Sequence, residues 1–191
     1  MEAQLAEFRH HLIRMLDEPS GLPMAGEDAA RELAGKLRDG TPGPGRTGSG
    51  NPLGDEMRNS DAFAGASDAR IGPLYESFAA IADALPWYRR PEPDLPDFEA
   101  GHANADIIGV NGLQVQKDIR VGATLMRPNV TYPDHHHPPE EVYVVLSEGL
   151  WRQNDEPWWS PGPGGYVYNP PHILHAMKSV DTPLLAIWCL N

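Results

Sequence analysis

From Leu5 to Leu16 the apolar residues fall at Leu5, Phe8, Leu12, Met15 and Leu16. Steps of three and four put them on one stripe of an α-helix, which Pro19 and Gly21 then end. A second helix is predicted over residues 27–38, with Ala30, Leu33 and Leu37 on one face. A third starts at Pro73, a favoured first helical position, and runs through Leu74, Phe78, Ile81 and Leu85 to stop before Pro86. Between them lies GTPGPGRTGSGNPLG (40–54), which has almost no apolar content and reads as a loop or flexible connection. The proline-rich stretch 86–98 is expected to be extended and irregular.

After about Asn104 the pattern changes. Short apolar runs (ADIIGV, RVGATLM, EVYVVL, GYVYN, HILHAM, LLAIWCL) alternate with turn clusters such as NG at 111–112 and SPGPGG at 160–165. Short strands at this spacing predict an all-β sandwich or barrel. The chain thus divides into a helical region over 1–100 and a β-barrel over 101–191, expected to pack as one folding unit.

Composition narrows the function. The 19 glycines and 20 prolines make up about a fifth of the chain, more than a helical bundle carries. A net charge of −12 without a basic stripe excludes a general nucleic-acid binder and attraction to anionic membranes. No apolar run approaches the roughly 18 residues of a membrane span. The first twenty residues carry acids and histidines where a signal peptide needs an apolar stretch, so a cytoplasmic location is expected. Cys189 is the single cysteine, so no internal disulfide forms.

Chemistry concentrates in the β region. Five of the eight histidines, His135, His136, His137, His172 and His175, lie there. In an extended chain alternate side chains share a face, so His135 and His137 point one way and His136 the other. The same rule puts Glu141, Tyr143 and Val145 on one face of the next strand. If the sheet closes, the strand HILHAM lies beside the first and aims His175 inward, leaving His172 on the opposite face. Imidazole and carboxylate together suit Zn(II), Fe(II), Mn(II), Ni(II) or Co(II). Three or four such ligands without cysteine inside a barrel leave the open coordination of a catalytic site. His135, His137, Glu141 and His175 form the candidate ligand set, with Tyr143 able to join it or replace His135.

The segment YPDHHHPPEEVYVVLSEG (132–149) resembles the first cupin motif, and GPGGYVYNPPHILH (162–175) resembles the second. The form HxH-x3-E-x-Y, with a tyrosine two residues after the glutamate, is similar to the cupin-type dimethylsulfoniopropionate lyases of the DddQ type. The resemblance covers roughly residues 120–190. Pro170-Pro171-His172 departs from the generic cupin pattern, which usually has a further glycine before the last histidine. This resemblance implies a cupin barrel (a double-stranded β-helix, or jelly roll) preceded by about three α-helices. It also implies a divalent metal cofactor, a small zwitterionic substrate and a barrel of a kind that often forms homodimers. The activity it implies is β-elimination of dimethylsulfoniopropionate to acrylate and dimethyl sulfide.

Such a reaction needs one base near the substrate α-carbon, because the leaving group departs as a neutral thioether. Tyr143 is the expected base, since it shares a face with Glu141 and a nearby dication favours phenolate. Tyr132 is the second candidate, for the base or for substrate positioning. A sulfonium is attracted to aromatic faces, which Trp188, Tyr166 and Tyr168 offer. The same site types also serve Fe(II) dioxygenases and non-catalytic metal- or ligand-binding cupins, and oxygen consumption or absence of turnover separates these readings. Whether the N-terminal helices cover the barrel mouth is not fixed by the residues.

Overall fold

A computed structural model of the chain describes residues 1–60, 62 and 69–191. Its first helix, α1 (Glu2–Asp17), buries Leu5, Phe8, Leu12, Met15 and Leu16, the stripe expected from their spacing. The second, α2 (Met24–Asp39), buries Ala29, Ala30, Leu33, Ala34 and Leu37. Gly26 on α2 abuts Tyr168, where an added Cβ would stand only 2.8 Å from the Tyr168 Cβ. Between α2 and the sheet, close packing therefore needs the missing side chain.

The connection over 40–54, read as a loop or flexible, is mostly loop and is pinned at several points. It carries a two-residue strand, β1 (Gly43–Pro44), and leads into α3 (Gly54–Arg58). The Arg46 amide donates to the Gly112 carbonyl, and that of Gly48 to Ala84. A Cβ on Gly48 would lie 2.0 Å from the Leu85 carbonyl oxygen, so glycine here serves backbone contact rather than freedom.

Helix α4 (Ile71–Ala82) begins two residues earlier than Pro73 and ends sooner than expected, although Leu85 beyond it stays buried. The proline-rich stretch is not wholly irregular. It carries β2 (Trp87–Tyr88) and the start of α5 (Pro96–Gly101), with Pro96 opening the helix where a missing N–H costs nothing.

The remaining strands are β3 (His102–Ile108), β4 (Gln114–Val115), β5 (Arg120–Met126), β6 (Thr131–His135), β7 (Glu141–Val145), β8 (Leu150–Gln153), β9 (Tyr166–Asn169), β10 (His175–Lys178) and β11 (Leu184–Leu190). One eight-stranded sheet runs β1-β4-β3-β5-β11-β7-β9 with β2 added beside β3, and a three-stranded sheet runs β6-β10-β8. The fold is a cupin-type barrel with a helical N-terminal part. The run HILHAM is only partly a strand, because His172 has φ +62° and β10 begins at His175.

Strand alternation splits the large sheet into two environments. Ala103, Ala105, Val121, Ala123, Val142, Val144, Leu185 and Ile187 share one core with Phe8, Leu12, Leu33, Leu37, Phe78 and Ile81 of the helices. The other face, with Tyr143, Val145, Val167, Ala186, Trp188 and Leu190, meets Tyr132, Trp151 and Met177 of the small sheet in a second core. Helices α1, α2 and α4 thus lie behind the large sheet, on the face opposite Glu141 and Tyr143, whereas Phe98 of α5 joins the second core. No helix among the described residues is long and apolar enough to cross a membrane.

Candidate metal centre and substrate cavity

Register places the site residues in rows on the inner face of the large sheet. Asn104 pairs with Thr124, and Thr124 with Ala186. The next row joins Asp106, Gly122, Trp188, Tyr143 and Val167. The row after that joins Arg120, Leu190, Glu141 and Asn169. From the small sheet, the β6–β10 pairing sets His135 directly opposite His175. That ladder slips between His175 and Met177, which lets Tyr132 and His135 both turn inward although they are three residues apart.

His137, Glu141 and His175 converge, with one potential ligand atom from each lying within 4.8 Å of the others. Each imidazole Nε2 is 3.4 Å from Glu141 Oε2. The ring orientations are held from behind. His137 Nδ1 faces the Pro139 carbonyl at 2.8 Å, and His175 Nδ1 faces that of Ile173 at 3.0 Å. A carbonyl only accepts, so in a neutral ring the proton sits on Nδ1 and the Nε2 lone pair faces the carboxylate. Both Nε2 atoms are buried without a hydrogen-bond partner among the described residues. Two lone pairs and an anionic oxygen aimed at one point repel one another unless a cation lies between them. This N,N,O donor set therefore fits a divalent ion.

Without a cation there, protons on the imidazoles relieve the same repulsion by donating to the carboxylate. Burial alone pushes the Glu141 carboxyl up, but the imidazoles of His137 and His175 more than reverse this and hold it at about 2. His137 is raised by its contact with Glu141, against the opposing effect of burial. Asn169, fully buried, donates from Nδ2 to Glu141 Oε2 at 2.8 Å. Its own Oδ1 accepts from Gln153 Nε2 at 2.8 Å, which fixes the amide the right way round.

The convergence point borders a cavity of about 130 Å³ whose walls include Tyr132, His135, His137, Glu141, Tyr143 and Trp188. Tyr143 is buried, and desolvation followed by the charge of Glu141 drives its phenol well above the ordinary value. Burial also raises Tyr132, but a hydrogen bond from Asn104 Nδ2, 3.3 Å from the hydroxyl, works the other way. Asn104 is in turn held by Thr124, whose hydroxyl donates to Asn104 Oδ1 at 2.6 Å. The Trp188 indole lies across Gly122, where an added Cβ would meet the ring at 2.0 Å.

His135, His137, Glu141, His175, Tyr132, Tyr143 and Trp188 are brought to this region, and Tyr166 and Tyr168 are not. The Tyr166 hydroxyl donates to the Met15 carbonyl at 2.8 Å, on the helix side of the sheet. In register Tyr166 and Tyr168 oppose Val144 and Val142, so strand parity turns both away from Glu141. His135 stands beside His175, ring centroids 4.1 Å apart, yet falls outside the three-residue convergence. Burial lowers its pKa to about 4, so it faces the cavity as a neutral ring. His172 is exposed on a turn rather than on a strand face, and its amide donates to the His137 carbonyl at 2.9 Å. Tyr88, Asn104, Arg120 and Thr124 also line the cavity and were not anticipated. A signal for Asn104 existed, because HANADII alternates polar and apolar residues and so puts His102, Asn104 and Asp106 on one face.

A protein-family model described as dimethylsulfoniopropionate lyase matches residues 33–186. Among curated proteins, the chain is 30% identical over 92 residues to dimethylsulfoniopropionate lyase DddQ of Ruegeria pomeroyi, covering 48% of this chain and 46% of that protein. It is 27% identical over 108 residues to the putative dimethylsulfoniopropionate lyase DddL of Cereibacter sphaeroides, covering 56% and 46%. The matched stretch thus spans about half the length of these curated relatives. In three dimensions the chain is similar along its whole length to a structure from a study of the lyases RdDddP and RnDddQII. The TM-score is 0.75 at 18% identity, over 93% of that chain. It is also similar to DddQ of Ruegeria pomeroyi, with a TM-score of 0.74 at 23% identity over 90% of that chain. At these identities the structural likenesses speak for the fold alone.

Proposed function

The chain belongs to the dimethylsulfoniopropionate lyase family, and from that premise we propose that it cleaves dimethylsulfoniopropionate to acrylate and dimethyl sulfide with a bound divalent ion. The observation that carries the reading is the convergence of His137, Glu141 and His175, with Tyr143 two residues from Glu141 on the same face of β7. These three side chains would hold the ion, and His135 is a neutral neighbour available to join them. When bound, the ion supplies positive charge that favours a carboxylate and a phenolate nearby.

Tyr143 is the proposed base. It takes the proton from the substrate carbon next to the carboxylate, the Cα–Cβ double bond forms, and the Cβ–S bond breaks with both electrons going to sulfur. The products are acrylate and a neutral thioether, so no acid is needed for departure. Burial and Glu141 hold the phenol protonated, which supports a base that becomes competent only beside a cation. Tyr132, steadied by Asn104, is the proposed positioning residue. Tyr132 and Tyr143 give the sulfonium an aromatic wall in a cavity suited to a very small substrate.

Dimethyl sulfide in the headspace over purified protein, measured with and without a chelator, tests the proposal. Release that the chelator abolishes and added metal restores is expected. Undiminished release from metal-stripped protein would remove the ion from the reaction, and no release under any metal would remove the lyase reading.

A further inference from the structure

Arg120 opens β5, in the same register row as Leu190 and Glu141, so its backbone lies two strands, about 10 Å, from the metal-site carboxylate. Its guanidinium is held on one edge only. Nε donates to Asp106 Oδ1 at 2.8 Å and one terminal nitrogen to the Tyr88 hydroxyl at 3.1 Å. The guanidinium carbon lies 4.9 Å from the centroid of the Trp188 ring. These contacts leave several N–H groups of the planar fork uncommitted among the described residues. Asp106 is 4% exposed, so the pair is anchored in the barrel wall rather than waving in solvent.

Arg120 and Leu190 are common to two spaces. They line the inner cavity, and they also line an outer cleft of about 380 Å³ together with Val110, Lys117, Asp118 and Asn191. Arg120 therefore stands where the cavity meets its approach. Asp118, the acid of that cleft, accepts from Gln116 Nε2 at 3.0 Å, while Arg120 keeps its free edge. One face of Trp188 is already occupied by a cation, which makes that end of the cavity unfavourable for a sulfonium and favourable for an anion.

We propose that Arg120 is the specificity-determining residue for the substrate carboxylate, holding it at the mouth side of the cavity, between β5 and the His137–Glu141–His175 centre. The sulfonium end is thereby directed toward Tyr132 and Tyr143. This rests on the lyase reading for the identity of the substrate but adds an orientation that the metal-binding residues alone do not impose. A guanidinium recognises a carboxylate by geometry as well as charge, so lysine is an incomplete replacement.

The test uses the metal-loaded protein and propionate, an unreactive carboxylate of the same chain length, titrated calorimetrically, alongside turnover of the natural acid and of its methyl ester. Arg120→Gln is expected to weaken propionate binding and raise KM for the acid by about 10- to 100-fold, with metal content unchanged. It should also shrink the preference for acid over ester, and Arg120→Lys should fall between the two. Because Arg120→Gln leaves Asp106 buried and unpaired, the double variant Asp106→Asn/Arg120→Gln supplies a second measurement in which that strain is absent. Equal propionate affinity in wild type and both variants, or an unchanged acid-to-ester preference, overturns the proposal. If wild type binds propionate through Arg120 yet releases no dimethyl sulfide, the lyase reading fails and the carboxylate site stands. If it releases dimethyl sulfide while propionate ignores Arg120, only the orientation proposal fails.

Discussion

Replacing Asn169 by leucine isolates a contact that holds a metal ligand without touching the metal. Asn169 Nδ2 donates to Glu141 Oε2 at 2.8 Å, and Asn169 is 0% exposed. Leucine keeps the volume and removes the donor. A hydrogen bond to a charged group is worth about 1.5–3 kcal/mol when its loss leaves that charge buried. Glu141 keeps His137 and His175 beside it, each 3.4 Å away, so the free protein retains part of this stabilisation. The loss should fall mainly on the ordered position of the carboxylate. Supporting residues of this kind typically change metal affinity by about 10–100-fold, or about 1.4–2.8 kcal/mol. The assay is a competitive titration against a chromophoric chelator, with thermal unfolding of the metal-free protein as the control for packing. Weaker metal binding, little change in the metal-free melting temperature and recovery of turnover at saturating metal are expected. Gln153→Leu, which frees the Asn169 amide to rotate, should give a smaller loss in the same direction. Wild-type affinity in Asn169→Leu, within a factor of about two, would refute the idea that this amide orients the ligand.

Two further substitutions and one truncation bear on the same scheme. Tyr143→Phe keeps the ring that packs against Trp151 at 6.2 Å and removes only the hydroxyl, so it should fold, retain its metal and lose turnover by about 10²–10⁴. Tyr132→Phe should lose less; near-normal activity in Tyr143→Phe with a severe loss in Tyr132→Phe would transfer the base to Tyr132. Deleting residues 1–100 strips Phe8, Leu12, Leu33, Leu37, Phe78 and Ile81 from a core they share with the large sheet, each worth about 1.5–3 kcal/mol of burial. An insoluble or unfolded fragment is expected on centrifugation and circular dichroism, and a soluble, folded and active one would show that the barrel stands alone.

The local patterns were legible where one residue type decides the outcome. Three- and four-residue spacing located α1 and α2 because a helix stripe needs only its own sequence. The placing of Glu141 and Tyr143 on one strand face likewise needs only period-2 alternation. Tyr166 was misplaced because its role depends on which residue it faces across β7, and register is a property of two strands at once. Asn169 was invisible for the same reason: nothing in YVYN distinguishes it until Glu141 is opposite. Residues 40–54 read by composition as a loop or flexible connection, yet Gly45 and Gly48 are glycines because the neighbouring backbone leaves no room for a Cβ. Composition alone cannot separate that cause from flexibility.

The position of the helices has a consequence for how the site excludes water. Because α1, α2 and α4 cover the reverse of the large sheet, their packing cannot close the cavity mouth. Where the cavity meets the outer cleft stand Arg120 and Leu190, both on strands, with Arg120 tied to Asp106 and Tyr88. Inside, four of the polar groups around the convergence point are oriented by a second contact: His137 by Pro139, His175 by Ile173, Glu141 by Asn169, and Tyr132 by Asn104. Such an arrangement favours preorganisation over closure, since the donors already point at the place where charge must be held. A cavity of about 130 Å³ with fixed walls rejects larger substrates by size, while the Arg120 edge offers a carboxylate the one uncommitted cationic fork among its lining residues. Specificity then resides in the strand rows themselves, and substitutions on the helices should alter stability while leaving the acid-to-ester preference unchanged.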